Sequence, residues 1–171
     1  MTPREEVAAL PPSDLRDVVL DVLAHDDAFD RARRPAHVTA SAVVLSDDGA
    51  AALLVRHRKL GLWLHPGGHV EPGDGALADA ARREAVEETG VEDLRPLGGP
   101  LDVHRHPGPC APRGEVDHLD VRFALLADRA STPVVSEEST DVRWFDVDDL
   151  PDDAVPDLSP LVALALERLR G

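Results

Sequence analysis

Residues 67–91 read GGHVEPGDGALADAARREAVEETGV, a glycine-rich loop that runs into a segment free of Gly and Pro and stops at Gly90. The spacing predicts a helix over residues 76–89, with Gly90 as the residue just past its C-terminus. At 100° per residue, Leu77, Ala80 and Ala81 fall on one side of that helix, the natural core face. Glu84, Glu87 and Glu88 fall on the same side one or two turns later, so carboxylates continue a buried stripe. They stand in the last turns, where the macrodipole disfavours negative charge, and Glu84 and Glu88 repel each other as an i,i+4 pair. Local rules broken together mark a functional site, and a hard divalent cation between the carboxylates relieves all of them. Oxygen-only ligands favour Mg2+, with Mn2+ as the alternative, over zinc. A solvated acidic helix end is the plainer explanation on charge count alone. The phase of the stripe and the adjoining glycines weigh against it.

Upstream, residues 37–45 (HVTASAVVL) and 51–58 (AALLVRHR) are β-rich runs separated by SDDG, a turn signal, and are expected to form a hairpin. A short strand leads from there into the glycine loop. Downstream, β-type stretches cover residues 97–104, 118–127 and 142–147, with a Pro/Gly-rich loop over residues 105–115. Residues 159–169 close the chain as an amphipathic helix. Near the N-terminus, residues 14–24 repeat Leu15, Val18, Val19 and Val22 at helical spacing, with Ser13 or Asp14 as the cap. The expected organisation is a helical extension over residues 1–34, packed as an appendage, and a main domain over residues 35–171. The mixed order of strands and helices predicts an α/β fold in which a sheet is sandwiched between helices.

The chain has 171 residues, the size of one ordinary domain. Hydrophobic residues make up 43% and aromatics 3%, with no Tyr, so the core must be built from Val, Leu and Ala. A formal net charge of -15 argues against nucleic acid or an anionic membrane as partner, since either would be repelled. A small anionic substrate remains compatible if a cation mediates its contact. Cys110 is the only cysteine, which excludes an intrachain disulfide and a thiolate zinc cluster. The first residues lack the basic-then-apolar layout of a signal peptide, and no apolar run is long enough to span a bilayer. A cytoplasmic location is therefore expected.

Residues 67–91 resemble the Nudix box, a pattern of Gly, five residues, Glu, seven residues, then Arg-Glu-U-x-Glu-Glu-x-Gly-U, with U aliphatic. Its second half is matched without exception by Arg83, Glu84, Ala85, Glu87, Glu88, Gly90 and Val91. The resemblance implies a Nudix-type α/β/α sandwich with a mixed sheet, here carrying an N-terminal helical extension. It also implies a Mg2+-dependent hydrolase that cleaves a phosphoanhydride bond of a nucleoside diphosphate linked to another group. Glu87, Glu88 and the Gly68 carbonyl would be metal ligands, Glu84 a ligand or general base, and Arg83 a member of the catalytic set. The first half departs from the pattern. Counted from Gly68 the box Glu falls at Asp74, and counted back from Arg83 it falls at Gly75, so the loop is one residue longer. Asp74 can still reach Arg83 on that longer loop. A nucleotide-binding sensor on the same fold is the rival, supported by the missing box Glu alone.

Further candidates lie outside the box. Arg56, His57, Arg58 and Lys59 form the densest basic run of an acidic chain, and Arg56 and Arg58 are candidates for substrate phosphate contact; a solvated strand end is the competing explanation. Nudix enzymes supply an extra carboxylate from a loop near residues 137–138, which makes Glu138 a catalytic candidate against an ordinary acidic loop. His104 and His106 alternate on an expected strand, with His118 in reach; structural or surface histidines outweigh a zinc site there. Trp63 and Trp144 sit in apolar runs and are expected in the core. The expected partner is a small nucleotide-like diphosphate, and a homodimer is among the compatible assemblies.

Overall fold

Strand β1 (Ala36–Ser46) is buried at every position, and its alternation divides the molecule into two layers. Val38, Ala40, Ala42 and Val44 point into one core cluster, Val43 and Leu45 into the other. A strand buried on both faces is what a central position between helical layers requires. The computed structural model describes residues 1–109 and 115–171, so Cys110 and its immediate neighbours lie outside the described residues.

The expected hairpin forms: β2 (Ala51–His57) pairs antiparallel with β1, with Val44 opposite Leu53. On the other side β1 runs parallel to β7 (Glu115–Ala127) over its full length, from Ala36–Asp117 to Ser46–Ala127. Short strands β3 (Trp63–Leu64) and β4 (Gly67–His69) pair with β2 and β1, and β8 (Ser139–Asp146) pairs with β2. The expected strand over residues 97–104 is displaced. β5 (Arg95–Pro96) lies before it and β6 (Asp102–Pro109) takes only its last three residues and runs on into the expected loop, both pairing with β7, because Gly98, Gly99 and Pro100 interrupt the run. With one parallel pairing among antiparallel ones, the described residues form a mixed eight-stranded sheet.

Helix α3 (Leu77–Thr89) covers one face through Leu77, Ala80, Ala81 and Ala85, and Gly90 ends it at φ 69, a conformation only glycine adopts cheaply. Helix α4 (Leu158–Arg170) covers part of the other face through Leu158, Leu161, Val162 and Ala165. Trp63 packs beneath α4, edge-on to Phe145 at 4.7 Å, and Trp144 packs against the α3-side core. None of the helices among the described residues is long and apolar enough to cross a membrane.

The N-terminal residues join the α3 layer. Helix α2 (Asp14–Val22), capped by Ser13, buries Val19 completely, and a further helix α1 (Pro3–Ala8) buries Val7. Thr2 and Glu5 form a capping box around Pro3, and with only 6 residues the helix is too short for its apolar positions to repeat. Both Val7 and Val19 belong to the cluster that holds α3, so residues 1–34 share its core.

Candidate active site

Helix α3 has no side-chain cap of its own at Ala76. Its first amides, Leu77 and Ala78, instead donate to the Glu6 carboxylate of α1 at 2.7 and 3.1 Å. Burial raises the Glu6 carboxyl above the ordinary range, while those two amides pull it down. The N-terminal helix thereby fixes the start of the helix that carries the carboxylates.

At the other end of α3, Glu88 is 7% exposed and the Glu84 side chain 14% exposed, both continuing the buried stripe as expected. Glu87 corrects the expectation: its side chain is 57% exposed. On the wheel it stands at the edge of the stripe, about 80° from Leu77.

Strand β4 closes over the two inner carboxylates. A Cβ on Gly68 would lie 2.6 Å from the Glu84 carboxylate, and one on Gly67 would lie 2.2 Å from Ser41 Cβ. Only glycine lets the backbone pass between β1 and the helix at this distance. The crowding is electrostatic as well. Burial raises the Glu84 carboxyl against the pull of Arg83, with Glu87 and Glu138 raising it further. Burial first, then Glu84 and Glu138, push Glu88 up to about 8. The charge of Glu138, just before β8, reaches both helix carboxylates. Its segment is held by Arg58, whose Nε and Nη2 donate to the carbonyls of Glu137 and Ser139 at 2.9 and 2.8 Å. Arg56 pairs with Asp153 at 2.9 Å. Among the described contacts, therefore, Arg58 supports the Glu138 segment and Arg56 the loop before α4.

Arg83 ties the glycine loop to the helix. It takes Asp74 in a two-point pair at 3.1 and 3.0 Å, donates to the His69 carbonyl at 2.8 Å, and reaches Glu84 at 3.0 Å and Glu87 at 3.1 Å. The Asp74 bond, ahead of the cost of burial, raises the guanidinium pKa further. Burial alone would raise Asp74, but Arg83 and the Glu71 amide outweigh it and hold the carboxyl below its usual value. The longer loop thus does bring Asp74 to the box arginine.

On the opposite face of the sheet, beyond the apolar cluster under α4, the strands present buried polar groups. Thr39 and Ser41 donate to the buried Asp120 at 3.1 and 2.5 Å, and His65 Nε2 lies 3.1 Å from Ser41 Oγ. Arg122 is paired with Asp102 and Asp157, and His104 also faces Asp157, at 3.6 Å. His118 does not join His104 in a ligand set; it meets His37 and His69. Burial lowers all three rings, taking His69 to about 3 and His118 to about 4, with their neighbours' charges adding to it. His37 and His69 escaped the sequence reading because their proximity depends on register between β1, β4 and β7.

Residues 35–165 match the family model of the NUDIX domain. An uncharacterized Nudix hydrolase, YvcI, of Bacillus subtilis (strain 168) is 33% identical over 112 residues, 63% of this chain and 65% of its own. A putative 8-oxo-dGTP diphosphatase of the same organism is 37% identical over 65 residues, 38% of this chain and 42% of its own. The chain spans between 23% and 65% of the length of the curated relatives it matches. Among solved structures, the NUDIX domain of Shewanella oneidensis NrtR, complexed with ADP ribose, superposes with a TM-score of 0.61 at 24% identity, covering 99% of both chains. That coverage takes in the N-terminal helices as well as the sandwich.

Proposed function

Since the chain belongs to the NUDIX domain family, we propose that it is a divalent-cation-dependent hydrolase cleaving the phosphoanhydride bond of a nucleoside diphosphate linked to another group. The observation that carries this reading is the pair Glu84 and Glu88, buried against the Gly68 backbone and both raised in pKa. Carboxylates gathered at such cost, with Arg83 as the one cation bonded among them in the described residues, fit a site built for an added cation. Glu84, Glu87, Glu88 and the Gly68 carbonyl would hold Mg2+, or Mn2+ in its place. When bound, the cation neutralises phosphate charge and acidifies water.

The protein's own groups then have distinct tasks. Glu84, with Glu138 facing it from the β8 side, is the candidate to take the proton of the attacking water. Arg83 holds Glu84 and the glycine loop in register through Asp74. Arg56 and Arg58 stand on β2 and its end as candidates for substrate phosphate, in addition to their present contacts. The Asp74–Arg83 pair removes the main support for a sensor without activity, since the longer loop regains a carboxylate on the box arginine.

The test is a panel of nucleotide sugars, dinucleotides and nucleoside triphosphates, incubated with Mg2+ in heavy-oxygen water. At least one nucleoside diphosphate derivative should be cleaved between its phosphorus atoms, with label on a phosphate product. Glu84→Gln should lower kcat far more than it weakens nucleotide binding. Tight binding across the panel without turnover in Mg2+ or Mn2+ would decide for a sensor.

A further inference from the structure

His37 on β1, His69 on β4 and His118 on β7 come from three different strands, yet their ligand nitrogens all lie within 4.8 Å of one another. Register explains the meeting. His37 stands opposite His118 in the parallel pair, and His69 stands opposite Thr39, two residues along the same face. Ring centroids are 5.2 Å apart for His37 and His69, 4.9 Å for His37 and His118, and 5.3 Å for His69 and His118. The trio is near-equilateral, and His37 is fully buried.

We propose that His37, His69 and His118 form a site for a transition-metal dication of the zinc class, separate from the carboxylate site on α3. Three imidazole nitrogens, the ligand atoms of this group among the described residues, suit zinc or cobalt and are a poor set for Mg2+, which keeps to oxygen. Zn–N bonds near 2.0–2.1 Å place tetrahedral nitrogens about 3.4 Å apart, so each ring need move by less than about 1 Å. Solvent would complete the four ligands. His106, whose ring lies 5.1 Å from that of His118, has its Nδ1 3.3 Å from the Pro107 carbonyl and stays outside the set.

The position gives the metal a task. The three rings lie on the face turned away from α3, but the His69 backbone carbonyl accepts from Arg83, and Gly68 precedes it. A metal joining β4 to β1 and β7 would pin the short strand whose backbone approaches the helix carboxylates. The staple would therefore act on the active site as a positioning element.

The experiment uses the full chain, stripped with chelator and then held in excess Mg2+ to occupy the carboxylate site. Co2+ is titrated in and the visible absorption of tetrahedral cobalt recorded, followed by displacement with Zn2+. One equivalent should bind, and His118→Gln or His69→Gln should weaken binding by 100-fold or more. Glu87→Gln and His106→Ala should leave the band unchanged. If one of the two histidine variants fails to fold by circular dichroism, the other carries the test. A zinc-dependent rise in Tm of the unsubstituted chain, absent from the folded variant, is the second readout. No tetrahedral band, a band that survives in both His118→Gln and His69→Gln, or one that follows Glu87→Gln or His106→Ala would overturn the assignment. Loss of hydrolysis alone bears on the carboxylate site and leaves this result distinct.

Discussion

Glu88→Gln should make the metal-free protein more stable, and the gain should grow with pH. The folded carboxyl titrates at about 8 against 4.5 for an ordinary Glu, because burial and then the charges of Glu84 and Glu138 oppose ionisation. A raised pKa means that the folded state holds the proton more tightly than the unfolded chain. Its contribution is intact below pH 4.5 and is lost as pH rises toward 8. At pH 7 the unfolded carboxyl is ionised and the folded one is not, a difference of roughly 3 kcal/mol at 1.36 kcal/mol per pKa unit. Gln keeps the shape and never ionises, so it should recover a large part of that amount, a Tm increase of roughly 5–10 °C for a domain of this size. The assay is thermal and urea unfolding in chelator at pH 5, 7 and 8.5. The two proteins should nearly coincide at pH 5 and separate through the window above it. Saturating Mg2+ should reverse the order by stabilising the unsubstituted protein more than the variant, which has lost a ligand. A Gln variant that is no more stable at pH 8.5, or a difference flat with pH, would refute the idea that these carboxylates are crowded for a cation.

Three further outcomes follow from named contacts. Asp74→Ala leaves Arg83 without its two-point partner and should cost about 2 kcal/mol and more than tenfold in kcat/KM, whereas Gly75→Glu, whose Cβ would lie 3.3 Å from Asp79 Oδ2, should change activity by less than about twofold; melting curves and initial rates check both. Glu6→Ala removes the acceptor for the Leu77 and Ala78 amides and should destabilise by about 1–2 kcal/mol, with faster amide exchange at the start of α3 than at its end. Gly68→Ala forces a Cβ to within 2.6 Å of the Glu84 carboxylate and should cut activity at least 100-fold with Mg2+ affinity falling in parallel, as calorimetric titration would show.

What the sequence determined by itself was local in origin. Helix α3, its stop at Gly90, the hairpin of β1 and β2, the Ser13 cap and the buried phase of Glu84 and Glu88 all follow from interactions within a few residues. Periodicity and caps act over one or two turns, so a linear reading contains them. The box motif added the family, and residues 35–165 match it.

Tertiary structure decided the rest. That Asp74 meets Arg83 depends on the path of a loop with an extra residue, and that Gly68 comes against Glu84 depends on the pairing of β4 with β1. The missing cap of α3 is supplied by Glu6, which is 71 residues away in sequence. His37, His69 and His118 converge only because β1 runs parallel to β7 and antiparallel to β4 in one particular register. Register is set by the burial of whole strands, and a slip of one residue would turn each histidine to the other face. No window along the chain contains that information, because it is a property of strands paired across the sheet.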